Sequence, residues 1–223
     1  MEKFINRHEA GRILADQLRY YAHNPDALVL ALPRGGVPVG YEVAKTLSLP
    51  LDVFIVRKLG VPGHEELAMG AIASGATTIF NEEIVEALHI SKEAIDEVIH
   101  AENKELERRE RLYRGDRPFP ELEDKIVILV DDGIATGATM RAAIKALRKH
   151  NPARLIMAIP VAAYSTYSEM ANLVDEIVCP LQPLHFYAVG LWYEDFAQTT
   201  DAEVSELLAS IPNDHLKDIS TVL

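Results

Sequence analysis

Basic residues are scarce in this chain of 223 residues: 22 Lys and Arg stand against 34 Asp and Glu, a formal net charge of −12. That balance disfavours non-specific attraction to nucleic acid or to an anionic membrane surface, while leaving room for a local basic pocket. Cysteine is nearly missing. Cys179 stands alone, so no intrachain disulfide can form. Its apolar neighbours Ile177 and Val178 mark it as a small buried hydrophobe rather than a nucleophile. No apolar run is long enough to span a bilayer. Residues 1–18 (MEKFINRHEAGRILADQL) are charged and lack an apolar signal core, so the expectation is a cytoplasmic protein. The histidines form no ligand pattern: His64 in HEEL has no second His four residues on, and no structural metal is expected. Internal repeats and low-complexity tracts are absent as well. What remains, 48% hydrophobic and 25% charged, is ordinary for a soluble globular chain. The length suits one domain of good size, with or without a small appendage.

Apolar, β-branched runs alternate with helix-compatible segments. Residues 8–22 have Ile13, Leu14, Leu18 and Tyr21 at helical spacing, ending at Asn24-Pro25. Leu28–Leu32 predicts a buried strand, Pro33 to Gly36 a turn, Val37–Leu47 a helix and Leu51–Val56 the next strand. Residues 59–70 (LGVPGHEELAMG) have no clear period and predict a mobile loop, followed by a hairpin around Ser74-Gly75. Ser91 can cap a long helix to about Arg114. Its interspersed Glu and Arg residues read as a solvated face rather than an RNA-binding one. Strands at 126–130, 154–159 and 176–179 follow, with helices near 140–149, 164–171 and 201–210. This rhythm predicts an α/β fold with a mostly parallel twisted sheet flanked by helices.

The most informative stretch is IVILVDDGIATGATM, residues 126–140. It reads as a buried parallel strand running into a small-residue loop that opens a helix. Gly133, Ala135, Gly137 and Ala138 keep the loop low, so backbone N–H groups can reach a ligand, and Thr136 and Thr139 add hydroxyls. A helix N-terminus of this kind is an anion site, most naturally for a phosphate monoester. Asp131 and Asp132 would repel that phosphate unless they face something else, such as vicinal ribose hydroxyls or a magnesium ion. Phosphate cradle and acid pair together suggest a ribose 5-phosphate binder. Rival phosphate motifs fail: no Lys follows Gly137 as a P-loop requires, and Gly133 and Gly137 have the wrong spacing for a dinucleotide fingerprint.

Here the chain resembles the type I phosphoribosyltransferases, whose signature is an apolar strand, two acidic residues, a short gap and T-G-x-T. The resemblance implies that Ala135, Thr136, Gly137, Ala138 and Thr139 hold the 5-phosphate of phosphoribosyl pyrophosphate (PRPP). It implies that Asp131 and Asp132 hold the ribose hydroxyls. Arg34, Gly35 and Gly36 are similar to the family's pyrophosphate loop; glycines there would permit unusual backbone angles. Arg57-Lys58 resembles the cationic R-K-x-G run of adenine phosphoribosyltransferases and their relatives, beside the departing pyrophosphate. The D-D-x-x-A-T-G-x-T string also matches the adenine enzymes; the 6-oxopurine enzymes carry Asp where this chain has Ala135. The run Glu66-Leu67-Ala68-Met69-Gly70 resembles the loop-acid run of the adenine enzymes, with Ala68 replacing one of its two acids, which leaves Glu65 or Glu66 as the proton carrier the resemblance implies. Phe186, Trp192 and Tyr193 lie where family members place a hood over the base.

The resemblance therefore implies an enzyme that uses Mg²⁺, PRPP and a nitrogenous base, a purine among the candidates, and forms a homo-oligomer (dimer); the charge balance and the lack of an apolar span predict no nucleic-acid or membrane partner. Residues 1–180 would form the core, with a helical insertion at about 84–120, and 181–223 the small C-terminal hood. The long helix near 91–114 is not a usual part of the purine enzymes and implies a distinct branch. Ala135 and the incomplete loop acid motif keep an alternative open, a non-catalytic regulator that senses PRPP or nucleotides on the same fold.

Overall fold

Strand-forming runs of Val, Ile and Leu pair side by side in a computed structural model of the chain, which describes residues 3–211. Residues 212–223, the far end of the expected hood segment, lie outside the described residues. The order is α1 (Arg7–Gln17), β1 (Ala27–Ala31), α2 (Gly36–Leu47), β2 (Leu51–Val53), β3 (Val56–Val61), β4 (His64–Ala73) and β5 (Thr77–Phe80). Then come α3 (Glu82–Ala87), α4 (Lys92–Arg114), β6 (Ile126–Val130), α5 (Ala138–Arg148) and β7 (Arg154–Ala158). The remaining elements are α6 (Tyr164–Met170), β8 (Glu176–Val178) and α7 (Asp201–Ser210). Helix starts follow local chemistry. The side chains of Asn6, Ser91 and Thr200 accept from the backbone N–H groups of Glu9, Ala94 and Glu203.

A parallel sheet in the order β2-β1-β6-β7-β8 forms the centre. β1 is buried along its whole length, as a strand covered on both faces must be. Successive side chains point to opposite faces. Val29, Ala31, Ile128 and Val130 join the core with α1, α2 and α7 residues such as Leu14, Val43 and Leu208. Leu28, Leu30, Val127 and Leu129 join Met140, Ile144 and Leu147 of α5 on the other face. β1 and β6 pair in register from Ala27↔Ile126 to Ala31↔Val130, so both end at the same level. No helix among the described residues is long and apolar enough to cross a membrane.

Three expectations are corrected. The strand expected at 51–56 is two strands: β2 ends at Val53, and β3 starts a separate antiparallel sheet, β3-β4-β5. Residues 59–70 are not a loop; they form most of the β3–β4 hairpin, which turns at Pro62-Gly63. Its glycines serve close approach or the turn itself. A Cβ on Gly60 would stand 2.8 Å from the carbonyl oxygen of Glu65, and Gly63 has φ +77° at the turn. The first helix stops at Gln17 and continues as a short 3-10 turn at Arg19–Tyr21. Cys179 is buried as expected, and burial pushes its thiol up to about 12.

α4 packs against β2, β3, β4 and α7. Its last residue fastens it. Arg114 Nε lies 3.0 Å from Asp52 Oδ2, and Nη2 donates to the carbonyl of Val53 at 3.0 Å. The Arg114 and Asp52 side chains are 4% and 2% exposed. Removing one member of such a buried pair strands the other charge, at a cost of about 3–5 kcal/mol. Arg114→Ala is therefore expected to lower unfolding stability by about 3 kcal/mol in a urea titration. An unchanged midpoint would show that the pair does not fasten the helix.

Candidate active site

Because β1 and β6 end level, the segments that follow them emerge side by side. β6 runs directly into Asp131 and Asp132; the Asp132 N–H donates to Asp131 Oδ1 at 2.8 Å. Beside them, the turn after β1 contains a cis Pro33–Arg34 peptide and leads into α2 through Gly35 and Gly36. Gly35 has ordinary right-handed angles (φ −61°, ψ −32°), so conformational freedom is not why glycine stands there, contrary to the sequence expectation. The reason is space. A Cβ on Gly35 would collide with the Asp132 carboxylate, and one on Gly36 would lie 2.9 Å from the Asp131 Cα and the Val130 carbonyl oxygen.

Beyond the acid pair, Gly133 (φ +152°) lets the chain turn against Val161 and Val189. Gly137 (φ +74°) is the N-cap of α5 and brings no side-chain hydrogen bond to it. From Ala135 to Met140, no backbone N–H donates to another described residue. The loop's carbonyls, by contrast, are occupied. Thr166 Oγ1 donates to the Ala135 carbonyl at 2.6 Å, and Arg141 Nη2 to that of Thr136 at 2.5 Å. Thr136, Ala138 and Thr139 are exposed. The loop thus holds its acceptors inward and leaves its donors unused, the arrangement an anion requires.

Burial raises the carboxyl of Asp131 well above the usual carboxylate range, and the neighbouring Asp132 charge raises it further. Burial raises Asp132 too, while the Arg7 guanidinium pulls it back. Arg7 is a residue that sequence reasoning missed. Its Nε donates to Asp132 Oδ2 at 2.8 Å across 125 positions of chain, a contact no local pattern announces.

The expected cations take partners outside the acid pair and its loop. Arg34 Nη1 lies 3.6 Å from Asp201 Oδ1 at the start of α7. Asp201 in turn accepts from the Tyr113 hydroxyl of α4 at 2.6 Å. Burial and that bond push the Tyr113 phenol up to about 12. Arg57 and Lys58 are inside β3 rather than at a strand's carboxyl end. Arg57 pairs with Glu102 of α4 through Nε at 2.7 Å, and Lys58 Nζ reaches the Glu66 carbonyl at 3.4 Å. Glu66 is exposed on β4.

Of the aromatics, Phe186 and Trp192 stack at 6.4 Å, and the indole Nε1 is buried with no partner among the described residues. Tyr193 differs. It is 3% exposed, packs against Phe4 and Phe196 at 5.4 and 5.1 Å, and donates its hydroxyl to the Asp132 carbonyl at 2.6 Å. Its ring is committed to packing, so it supports the acid pair rather than offering a face to a base. Among the described residues no group of three or more His, Cys, Asp or Glu could hold a metal ion.

Two glycines separate strain from collision. Gly63→Ala and Gly137→Ala both place a side chain at positive φ, which costs about 1–2 kcal/mol. The methyl at Gly63 meets nothing within 4 Å, while at Gly137 it meets Met170 and Thr166, the latter at 2.9 Å. Gly137→Ala is expected to lower the denaturation midpoint clearly more than Gly63→Ala. Equal shifts would show that the loop can open without penalty.

The comparisons fit this geometry. The family model for the phosphoribosyl transferase domain matches residues 5–189. Two Mycobacterium tuberculosis proteins, from strains H37Rv and CDC 1551, are named provisionally as phosphoribosyl transferases. Each is 43% identical to this chain over 208 residues, covering 93% of it and 47% of the relative. The chain thus spans about half the length of the curated relatives it matches. The crystal structure of TT1426 from Thermus thermophilus superposes with a TM-score of 0.82 at 35% identity, covering 94% of this chain and 99% of that one. A parallel sheet ending in an acid pair and a donor-lined loop, and matches of this extent, have one reading: the chain belongs to the phosphoribosyl transferase domain family.

Proposed function

We propose that the protein is a phosphoribosyltransferase that moves the 5-phosphoribosyl group of PRPP to a nitrogen of a base, a purine for preference, and releases pyrophosphate. The observation that carries this reading is the unused row of N–H donors from Ala135 to Met140 beside the Asp131–Asp132 pair. Each hydrogen bond to a charged phosphate oxygen contributes about 1.5–3 kcal/mol. Ala135, Thr136, Gly137, Ala138 and Thr139 hold the 5-phosphate, and the two carboxylates hold the ribose hydroxyls. The Gly35-Gly36 turn lies against the carboxylates, and Arg34 beside it is the group proposed to meet the pyrophosphate. The core is residues 1–180, including the helices at 84–120, and the segment from 181 is the hood.

In the reaction the C1–O bond to pyrophosphate breaks with oxocarbenium character, and the pyrophosphate leaves with the bonding electron pair. The base nitrogen attacks from the opposite face and then loses its proton. Arg34, Arg57 and Lys58 offset the growing negative charge on the leaving group. Glu66, on the hairpin, is the candidate to take the base proton. Mg²⁺ would arrive with the substrate's pyrophosphate and would supply charge neutralisation when bound. Asp131, the carboxylate that Arg7 leaves free, is the protein group that would help hold it. Phe186 and Trp192 form the base side, and an acceptor atom on the base would satisfy the buried indole N–H. Substrate and partners are thus PRPP and a base, without nucleic acid or membrane, and the active form is a homodimer in the cytoplasm.

The test is pyrophosphate release from PRPP and Mg²⁺ across a panel of purines, pyrimidines and related heterocycles. Turnover is expected with at least one base and should vanish in Asp131→Asn combined with Asp132→Asn, with the circular dichroism spectrum retained. PRPP binding without turnover on any base would instead favour the sensing role. Full activity in the double variant would refute the ribose assignment.

A further inference from the structure

Arg7 sits on the first turn of α1, outside every motif the sequence displays, yet its guanidinium lies on the floor of the candidate site. Nε and Nη2 both lie 2.8 Å from Asp132 Oδ2. Nη1 donates to the carbonyl of Ala197 at 2.7 Å. The Phe196 ring lies under the guanidinium, 3.9 Å from its central carbon. A Cβ on Gly35 would stand 3.3 Å from Nε. The Arg7 and Asp132 side chains are 11% and 14% exposed. An ordinary surface ion pair fixes little, because both side chains stay free to move. This one is partly buried and held by a backbone acceptor, a carboxylate and a ring at once.

The arrangement answers a problem that the loop creates. Two adjacent carboxylates stand next to donors meant for a phosphate dianion. Unopposed, they would repel the ligand, and each could swing away from the sugar. Arg7 offsets one charge and occupies Oδ2 of Asp132, leaving Oδ1 outside its contacts. The carbonyl of the same residue is held by the Tyr193 hydroxyl. Side chain and backbone of Asp132 are therefore fixed independently. A Lys in place of Arg7 would keep the charge but could not reach Asp132 and Ala197 with one rigid fork.

We infer that Arg7 is a positioning residue for ribose recognition: it holds Asp132 so that the remaining carboxylate oxygen meets a sugar hydroxyl. The inference rests on the proposed phosphoribosyl site and adds to it a determinant from the opposite end of the chain.

The experiment is calorimetric titration of the full chain with ribose 5-phosphate and, separately, inorganic phosphate. Arg7→Ala is expected to bind ribose 5-phosphate about tenfold more weakly while its phosphate affinity stays within about twofold, and Arg7→Lys to fall between. In an Asp132→Asn background, Arg7→Ala should add less than about a twofold further loss, because its partner is already gone. An undiminished affinity for ribose 5-phosphate, an equal loss for both probes, or a fully additive loss in the Asp132→Asn background would overturn the inference. If Arg7→Ala does not fold, Arg7→Lys carries the same comparison, and an unchanged ratio of the two affinities overturns it. Wild-type protein that binds phosphate but not ribose 5-phosphate would overturn the proposed function itself, a different outcome from any shown by the variants.

Discussion

The carboxylate of Asp132 takes two N–H groups from Arg7 while the carbonyl of the same residue takes the Tyr193 hydroxyl. Gly35 packs against the same Oδ2 side of that carboxylate, with no room for a methyl. One residue thus ties the first helix, the turn after β1 and the segment before α7 to the end of β6. The central sheet supplies the platform, but a sheet alone would leave two like charges in a partly dry crevice, a costly arrangement. The surrounding segments make it tenable. Phe4 illustrates how thoroughly they do so: it is fully buried, its N–H and carbonyl bond to Trp192 and Glu194, and its ring packs on Tyr193.

The cations divide into two kinds. Arg114 is committed: it is buried, multiply bonded and fastens α4 to β2. Arg34 and Arg57 are only partly covered, with side chains 39% and 26% exposed, and each faces a carboxylate supplied by α7 or α4. Pairs of that exposure contribute little and exchange readily. A polyphosphate could take over either arginine without breaking the fold. The helices outside the sheet therefore supply the partners of both arginines.

What could be read from the sequence was local. The strand, acid pair, loop and helix at 126–148 lie in one run, and each step follows from the residue types in order: β-branched, acidic, small, helix-forming. The α4 cap at Ser91 and the burial of Cys179 were legible for the same reason. The β3–β4 hairpin was not. Gly60, Pro62, Gly63 and Gly70 read as loop punctuation, yet Gly60 and Gly70 are there because neighbouring strand backbone leaves no space for a Cβ. Tight packing of backbone and a flexible loop use the same residue, and one sequence does not distinguish them. Arg7 and Tyr193 were missed as partners of Asp132 because the contacts join residues 125 and 61 positions apart. The glycines after β1 were expected for conformational freedom, whereas they answer to volume, not to dihedral angle.

The in-register pairing of β1 with β6 has a consequence for how such a chain can change length. Ala31 lies opposite Val130, and the Leu32 N–H still bonds to the Val130 carbonyl one step beyond. The ladder acts as a ruler that delivers Gly35-Gly36 and Asp131-Asp132 to the same height. Adding or deleting a single residue within either strand would move its side chains from one packed face of the sheet to the other and offset the two loops. At the far ends of these strands, around Asn24 and Asp124, the chain turns, and a change of length there would leave the ladder and the level of the two loops intact.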